Sequence, residues 1–184
     1  MQLEPLLVLP LIAFFILLAL FALVLRRAGR FIASTRDVER FRRQVGDLAA
    51  RAETSLGEIC AQIDAVRRGQ VSADALGDDL AASTDAVARY AEEARGFKAP
   101  RDGQRILDEI ISELERAGRA LEMVEHGRSI QTSARSGGRE IEAQTSIKRG
   151  YLNVLHAREA IAHQAELARR VPVGQETGFE RRNA

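Results

Sequence analysis

The chain has 184 residues, 46% of them hydrophobic, 29% charged and 5% aromatic, with a formal net charge of +1. So even a balance excludes a strongly cationic nucleic-acid binder, and the lack of tryptophan argues against aromatic stacking platforms and aromatic-rich β-sandwiches. The single cysteine, Cys60, excludes an internal disulfide framework and fits a reducing compartment.

The first element is the run LLVLPLIAFFILLALFALVL at 6–25, which has no charged or hydrogen-bonding side chain. As a helix it is about 30 Å long, the thickness of a bilayer's hydrocarbon core. A cleaved signal peptide would need a basic start and a shorter apolar centre. Here the start is Met1-Gln2-Leu3-Glu4, and the run is followed by Arg26, Arg27 and Arg30. The expectation is a retained, passive anchor spanning 1–29 with its basic flank. Arg36, Arg40, Arg42 and Arg43 add to the positive charge after the run, opposed by Asp37 and Glu39 alone. The positive-inside rule then puts the N-terminus outside and the bulk of the chain in the cytoplasm, as a single-pass protein of the inner (plasma) membrane. The same arginines can contact anionic headgroups. Arginine outnumbers lysine 25 to 2, a bias we read as that of a GC-rich bacterial genome.

Four helices are expected over 30–171. The first covers about 31–68, where Phe31, Val38, Val45, Ala52, Ile59 and Val66 recur every seventh residue and Phe41, Leu48, Leu56 and Ile63 widen the stripe. It can continue straight from the anchor, since no proline intervenes. Gly69 ends it, and Ser72 or Asp74 can cap the next helix, which runs over about 73–97 on Leu80, Val87 and Ala94. Pro100 separates it from a third helix over 101–133, whose seam alternates Leu107, Leu114 and Leu121 with Ile110, Ala117 and Val124. Gly137 and Gly138 mark the next turn. The fourth helix, 139–170, takes Ile141, Ile147, Tyr151, Val154, Leu155, Ile161, Ala162, Ala165 and Ala168 as its apolar side. Residues 172–184 are read as a disordered polar tail.

Short connections make successive helices antiparallel, which gives an all-α, up-down-up-down four-helix bundle behind one transmembrane helix. In that geometry the Lys98–Arg101 loop and the C-terminal tail return towards the membrane. The two glycine turns lie at the far tip, where Arg67, Arg68, Arg135 and Arg139 form a docking surface for an acidic partner. An N-out anchor followed by a cytoplasmic helical bundle resembles the layout of bacterial LemA-type proteins. That family's aromatic and Asn/Asp-dense run has no counterpart in 36–63, so the likeness carries over no residue and no activity.

No catalytic signature is present. His156 and His163 share a helix face with Glu159, but neither HExxH nor Glu-x-x-His occurs. Cys60 follows a core position and reads as an inert thiol. No glycine loop is built to cradle phosphate. The expectation is a non-enzymatic chain with no cofactor and no bound metal. It would be a membrane-tethered scaffold, adaptor or accessory subunit acting on a protein partner, with a second copy of the chain as another candidate partner and nucleic acid excluded. The competing reading is a ligand- or metal-responsive regulatory bundle at the membrane.

Overall fold

In the computed structural model, residues 5–133 and 138–172 are described, with side chains at 17–23 and from 35 onward. All regular structure among these residues is helical. α1 spans Pro5–Arg67, α2 Gly77–Arg95, α3 Gln104–Thr132 and α4 Glu140–Arg169, and short 3₁₀ turns at Ala73–Leu76 and Arg101–Gly103 lead into α2 and α3. The helix count therefore departs from the expected anchor plus four helices. Anchor and first bundle helix are one element of 63 residues, about 95 Å long. The reason is in the chain itself: no proline occurs between Pro10 and Pro100, and isolated glycines cost a helix only about 1 kcal/mol each. Among the described residues no helix is long and apolar enough to cross a membrane. Of the apolar run 6–25, only positions 17–23 have described side chains; the remainder lies outside that set.

The helix ends follow local chemistry. Gly69 adopts φ +72°, and its N–H bonds to Val66 O at 2.9 Å while the Gln70 N–H reaches Ala65 O at 2.9 Å. This pair of bonds is the Schellman arrangement, which satisfies the last carbonyls of a helix. Ser72 makes no side-chain cap, contrary to expectation. A 3₁₀ turn begins there instead, with the Ala75 N–H on Ser72 O at 3.2 Å. Likewise Pro100 starts the second 3₁₀ turn, its carbonyl accepting from the Gly103 N–H at 2.8 Å. Gly138 has φ +98° in the connection before α4.

Each helix packs on its two chain neighbours, and α4 closes the ring against α1. All four contacts are antiparallel. Arg51 of α1 reaches Glu93 of α2, while Ser55 and Gln62 face Asp79 and Ser83 further back along α2. Gly77 meets Arg128 and Gly118 meets Val87. Gly127 abuts Ala143 and Ile147, whereas Gly150 abuts Ala120 and Val124. Arg42 reaches Val171 beyond the end of α4, and Arg158 reaches Glu53.

The interior is aliphatic and follows the seven-residue repeat. Val38, Val45, Ala52, Ile59 and Val66 are buried, as are Phe41, Leu48, Leu56 and Ile63; so are all six positions of the α3 seam. Phe31 lies outside the described side chains. The exceptions are on α4. Ile141 is 80% exposed and Ala162 is exposed, while Ala143, Gly150 and Ala157 take the inward places. The guanidinium of Arg67, the last residue of α1, stacks over the Tyr151 ring at 4.5 Å. From Tyr151 back to Glu140 is about 16 Å of helix. The α3–α4 hairpin therefore overhangs the end of α1, and Ile141 has no α1 surface to cover it.

Candidate interaction surfaces

The first surface is apolar. Leu17, Leu18, Leu20, Phe21 and Leu23 are 53–70% exposed, and Ala19 and Ala22 between them are exposed as well. At 100° per residue these seven positions cover every side of the helix. A helix apolar all round is stable only inside a core or a lipid phase, and water-exposed patches of this kind mark an interaction site. Arg26, Arg27 and Arg30, the expected basic flank, lie outside the described side chains.

The second surface is the end of the bundle from which α1 runs towards its N-terminus. A Cβ on Gly103 would lie 2.7 Å from the Phe41 ring, so the α2–α3 connection sits directly on α1 at that level. Arg42 brings the chain end of α4 to the same place: its Nη2 donates to Val171 O at 2.5 Å, while Nη1 pairs with Glu39 at 2.6 Å. The segments containing Lys98 and Arg101 thus share one end with Arg169 and Arg170. Both of the latter pair with the single carboxylate of Glu166, at 3.1 and 3.3 Å.

Of the arginines expected to dock a partner, Arg67, Arg68 and Arg139 are described at the opposite end, and each is paired with a carboxylate. Arg67 and Arg68 both engage Asp64. Arg139 forms a two-pronged pair with Glu142 at 2.8 and 2.9 Å, which holds the Glu142 carboxyl below its ordinary value. Arg139 precedes α4 and is separated from the level of Arg67 by the hairpin overhang, about 18 Å along α4. Arg135 lies outside the described residues. Exposed pairs of this type are worth under about 1 kcal/mol each and are readily exchanged for partner carboxylates.

The third feature is an open groove of about 200 Å³ between α1 and α2, lined by Ser55, Glu58, Ile59, Gln62, Asp79, Ala82 and Ser83. It exists because α2 presents alanine and serine to α1 along this stretch, and small side chains leave space at the seam. The remaining chemistry is dispersed. His126, His156, His163 and Glu159 are all exposed, and among the described residues no group of three or more His, Cys, Asp or Glu is placed to hold a metal ion. Cys60 is buried, and burial pushes its thiol up to about 11, against a smaller opposing effect of Arg158. A thiol held neutral in this way is a poor nucleophile.

Two features were not legible in the pattern. Glu113 is buried at 8% exposure although it is charged, and it pairs with Arg116 at 3.1 Å. Arg128 grips Glu125 with two bonds of 2.7 Å, lies over Gly77 and feels Asp74 and Asp78. It therefore ties α3 to the start of α2, a contact that only the packing of remote segments creates. Comparison with protein families, curated proteins and solved structures gives no match for this chain.

Proposed function

We propose that the chain is an integral, single-span membrane protein whose cytoplasmic helical bundle acts as a scaffold or accessory subunit by binding a protein partner. The observation that carries the reading is the ring of exposed leucines, phenylalanine and alanines at 17–23, set within an apolar run long enough for a bilayer. The arginines that follow orient the span with its N-terminus outside. Because α1 continues unbroken from this run into the bundle, anchor and bundle are joined by a stiff helix instead of a loose linker. The bundle interior is filled by aliphatic side chains, which leaves its outer faces as the working surface. Tethering is the mechanism: confinement at the bilayer raises the local concentration of whatever the bundle holds.

Alkaline carbonate washing of native membranes, followed by crosslinking and identification of captured proteins, tests this reading. The protein should stay with the membrane pellet and give discrete crosslinked partners from positions after 35. A tag at Ala184 should be cleaved by protease only once the membrane is opened. Release by carbonate, or cleavage of the tag from outside intact cells, would reject it.

A further inference from the structure

The end of the bundle nearest the apolar run carries more cations than carboxylates. Lys98, Arg101 and Arg105 are exposed and make no ion pair among the described residues. Asp102 stands among them, and Arg169 and Arg170 share the one carboxylate of Glu166. These cations come from two separated segments, the α2–α3 connection and the end of α4. They are assembled by the contacts of Gly103 with Phe41 and of Arg42 with Val171.

Their height above a bilayer follows from α1. Phe41 lies about 24 Å beyond the end of the apolar run at residue 25, and a headgroup layer is about 5–7 Å thick on each side. With α1 upright the rim stands clear of the lipid. Spanning helices tilt by up to about 40°, however, and α3 lies diagonally across the bundle, about 14 Å from α1 for ordinary helix spacings. A lean of roughly 30–40° towards α3 lowers the rim to about 9–14 Å above the hydrocarbon. There its long side chains reach the phosphates, and the gap is within a Debye length of about 8 Å.

We propose that this rim, made of Lys98, Arg101 and Arg105 with Arg169 and Arg170, docks on the anionic headgroups of the bilayer that holds α1. The bundle leans onto membranes rich in acidic lipid and stands off neutral ones. The proposal rests on the membrane-anchor reading. Charge complementarity selects the occupant: the rim faces the leaflet that the positive-inside rule assigns to it, where acidic lipids set a negative surface potential.

The test uses the full chain in vesicles of phosphatidylcholine, alone or mixed with phosphatidylglycerol. A donor dye at Gln104→Cys reports energy transfer to acceptor-labelled headgroups; buried Cys60 does not compete for the dye. Transfer should rise several-fold with phosphatidylglycerol and fall as salt is added. In the variant carrying Lys98→Gln, Arg101→Gln and Arg105→Gln it should stay near the neutral-lipid level, with helicity and flotation unchanged. Equal transfer in both lipids, or full lipid dependence in the charge variant, would overturn the proposal and leave the rim to an acidic protein. Release from neutral vesicles by alkaline washing would reject the anchor itself, a separate result from loss of the lean.

Discussion

Gly150 and Gly46 are both helical glycines, yet an added methyl group meets different surroundings at each. At Gly150 a Cβ would lie 2.6 Å from Val124 Cγ2 and 2.7 Å from Ala120 O; at Gly46 there is nothing within 4 Å. Backbone of a packed neighbour cannot yield cheaply, so Gly150→Ala should destabilise the bundle by about 1–3 kcal/mol. Gly46→Ala should stabilise it by about 0.5–1 kcal/mol, and urea unfolding in mild detergent reads both signs. Cys60 offers a second check. Its folded pKa of about 11 exceeds the ordinary 9.0, so the buried thiol contributes stability below the ordinary value that is lost as pH rises towards 11. Maleimide labelling at neutral pH should be slow until the protein is unfolded, and Cys60→Ala should flatten the alkaline fall in stability. Glu125 has the opposite sign. Its hydrogen bonds from Arg128 hold it below the ordinary 4.5, so its contribution is present above that pH and lost on acidification through the lowered value. The pair is partly exposed, which limits the effect of Glu125→Gln to under about 1 kcal/mol.

Each helix owes its existence to a stripe and its ends to a few punctuating residues. α4 shows how a stripe can mislead in its first turn. Ile141 and Ile147 look equivalent as apolar residues at helical spacing, but Ile141 is 80% and Ile147 3% exposed. The inward phase runs through Ala143, Ile147, Gly150 and Val154, and Ile141 falls outside it. Ile141→Ser should therefore leave the unfolding midpoint within about 0.5 kcal/mol of the parent, whereas Ile147→Ala should cost about 2–5 kcal/mol. Parallel thermal melts compare the two. The α1–α2 seam is held at one level by Arg51, which lies 5.4 Å from the Tyr90 ring centroid and 2.6 Å from Glu93. Both partners are on α2, so a double-mutant cycle between Arg51→Ala and Tyr90→Leu should show a coupling of about 0.5–1 kcal/mol. Further along, the seam opens into the groove lined by Ser55, Glu58 and Asp79.

As a whole the molecule is a long rod with a bundle built around its C-terminal half. A loose linker would let the bundle wander. A continuous helix instead fixes which end faces the apolar run, and so places Lys98, Arg101, Arg169 and Arg170 towards it and the Gly69 turn away from it. Interrupting that continuity is the direct check. Two prolines placed at 28 and 33, before Val38, the first buried residue among the described side chains, should leave the bundle's unfolding midpoint unchanged. The same prolines should abolish lipid-dependent energy transfer from the rim, because a kinked stalk no longer transmits orientation. A bundle that still responds to lipid charge would show that α1 acts only as a tether.

Hydrophobic spacing along the chain was enough to place the ends of the first and third helices and both ends of the fourth to within a residue, and to pick most of the core on α1, α2 and α3, because burial of a periodic apolar face dominates helix energetics in water. It did not show that α1 starts as far back as Pro5, nor that 3₁₀ turns occupy the first three or four positions expected for the second and third helices. The apolar run and its arginine flank were equally plain, since the length of an uninterrupted apolar stretch needs no knowledge of its neighbours. Contacts between remote segments were not legible. The overhang of the α3–α4 hairpin separates Arg67 from Arg139, which chain order alone had put at one tip. The glycine contacts of Gly127 and Gly150 set how closely α3 and α4 approach, and Arg42 gathers the end of α4 onto α1. These depend on the relative heights of packed helices, a quantity fixed by interlocking side-chain shapes across the core and absent from the periodicity of any one strand of sequence.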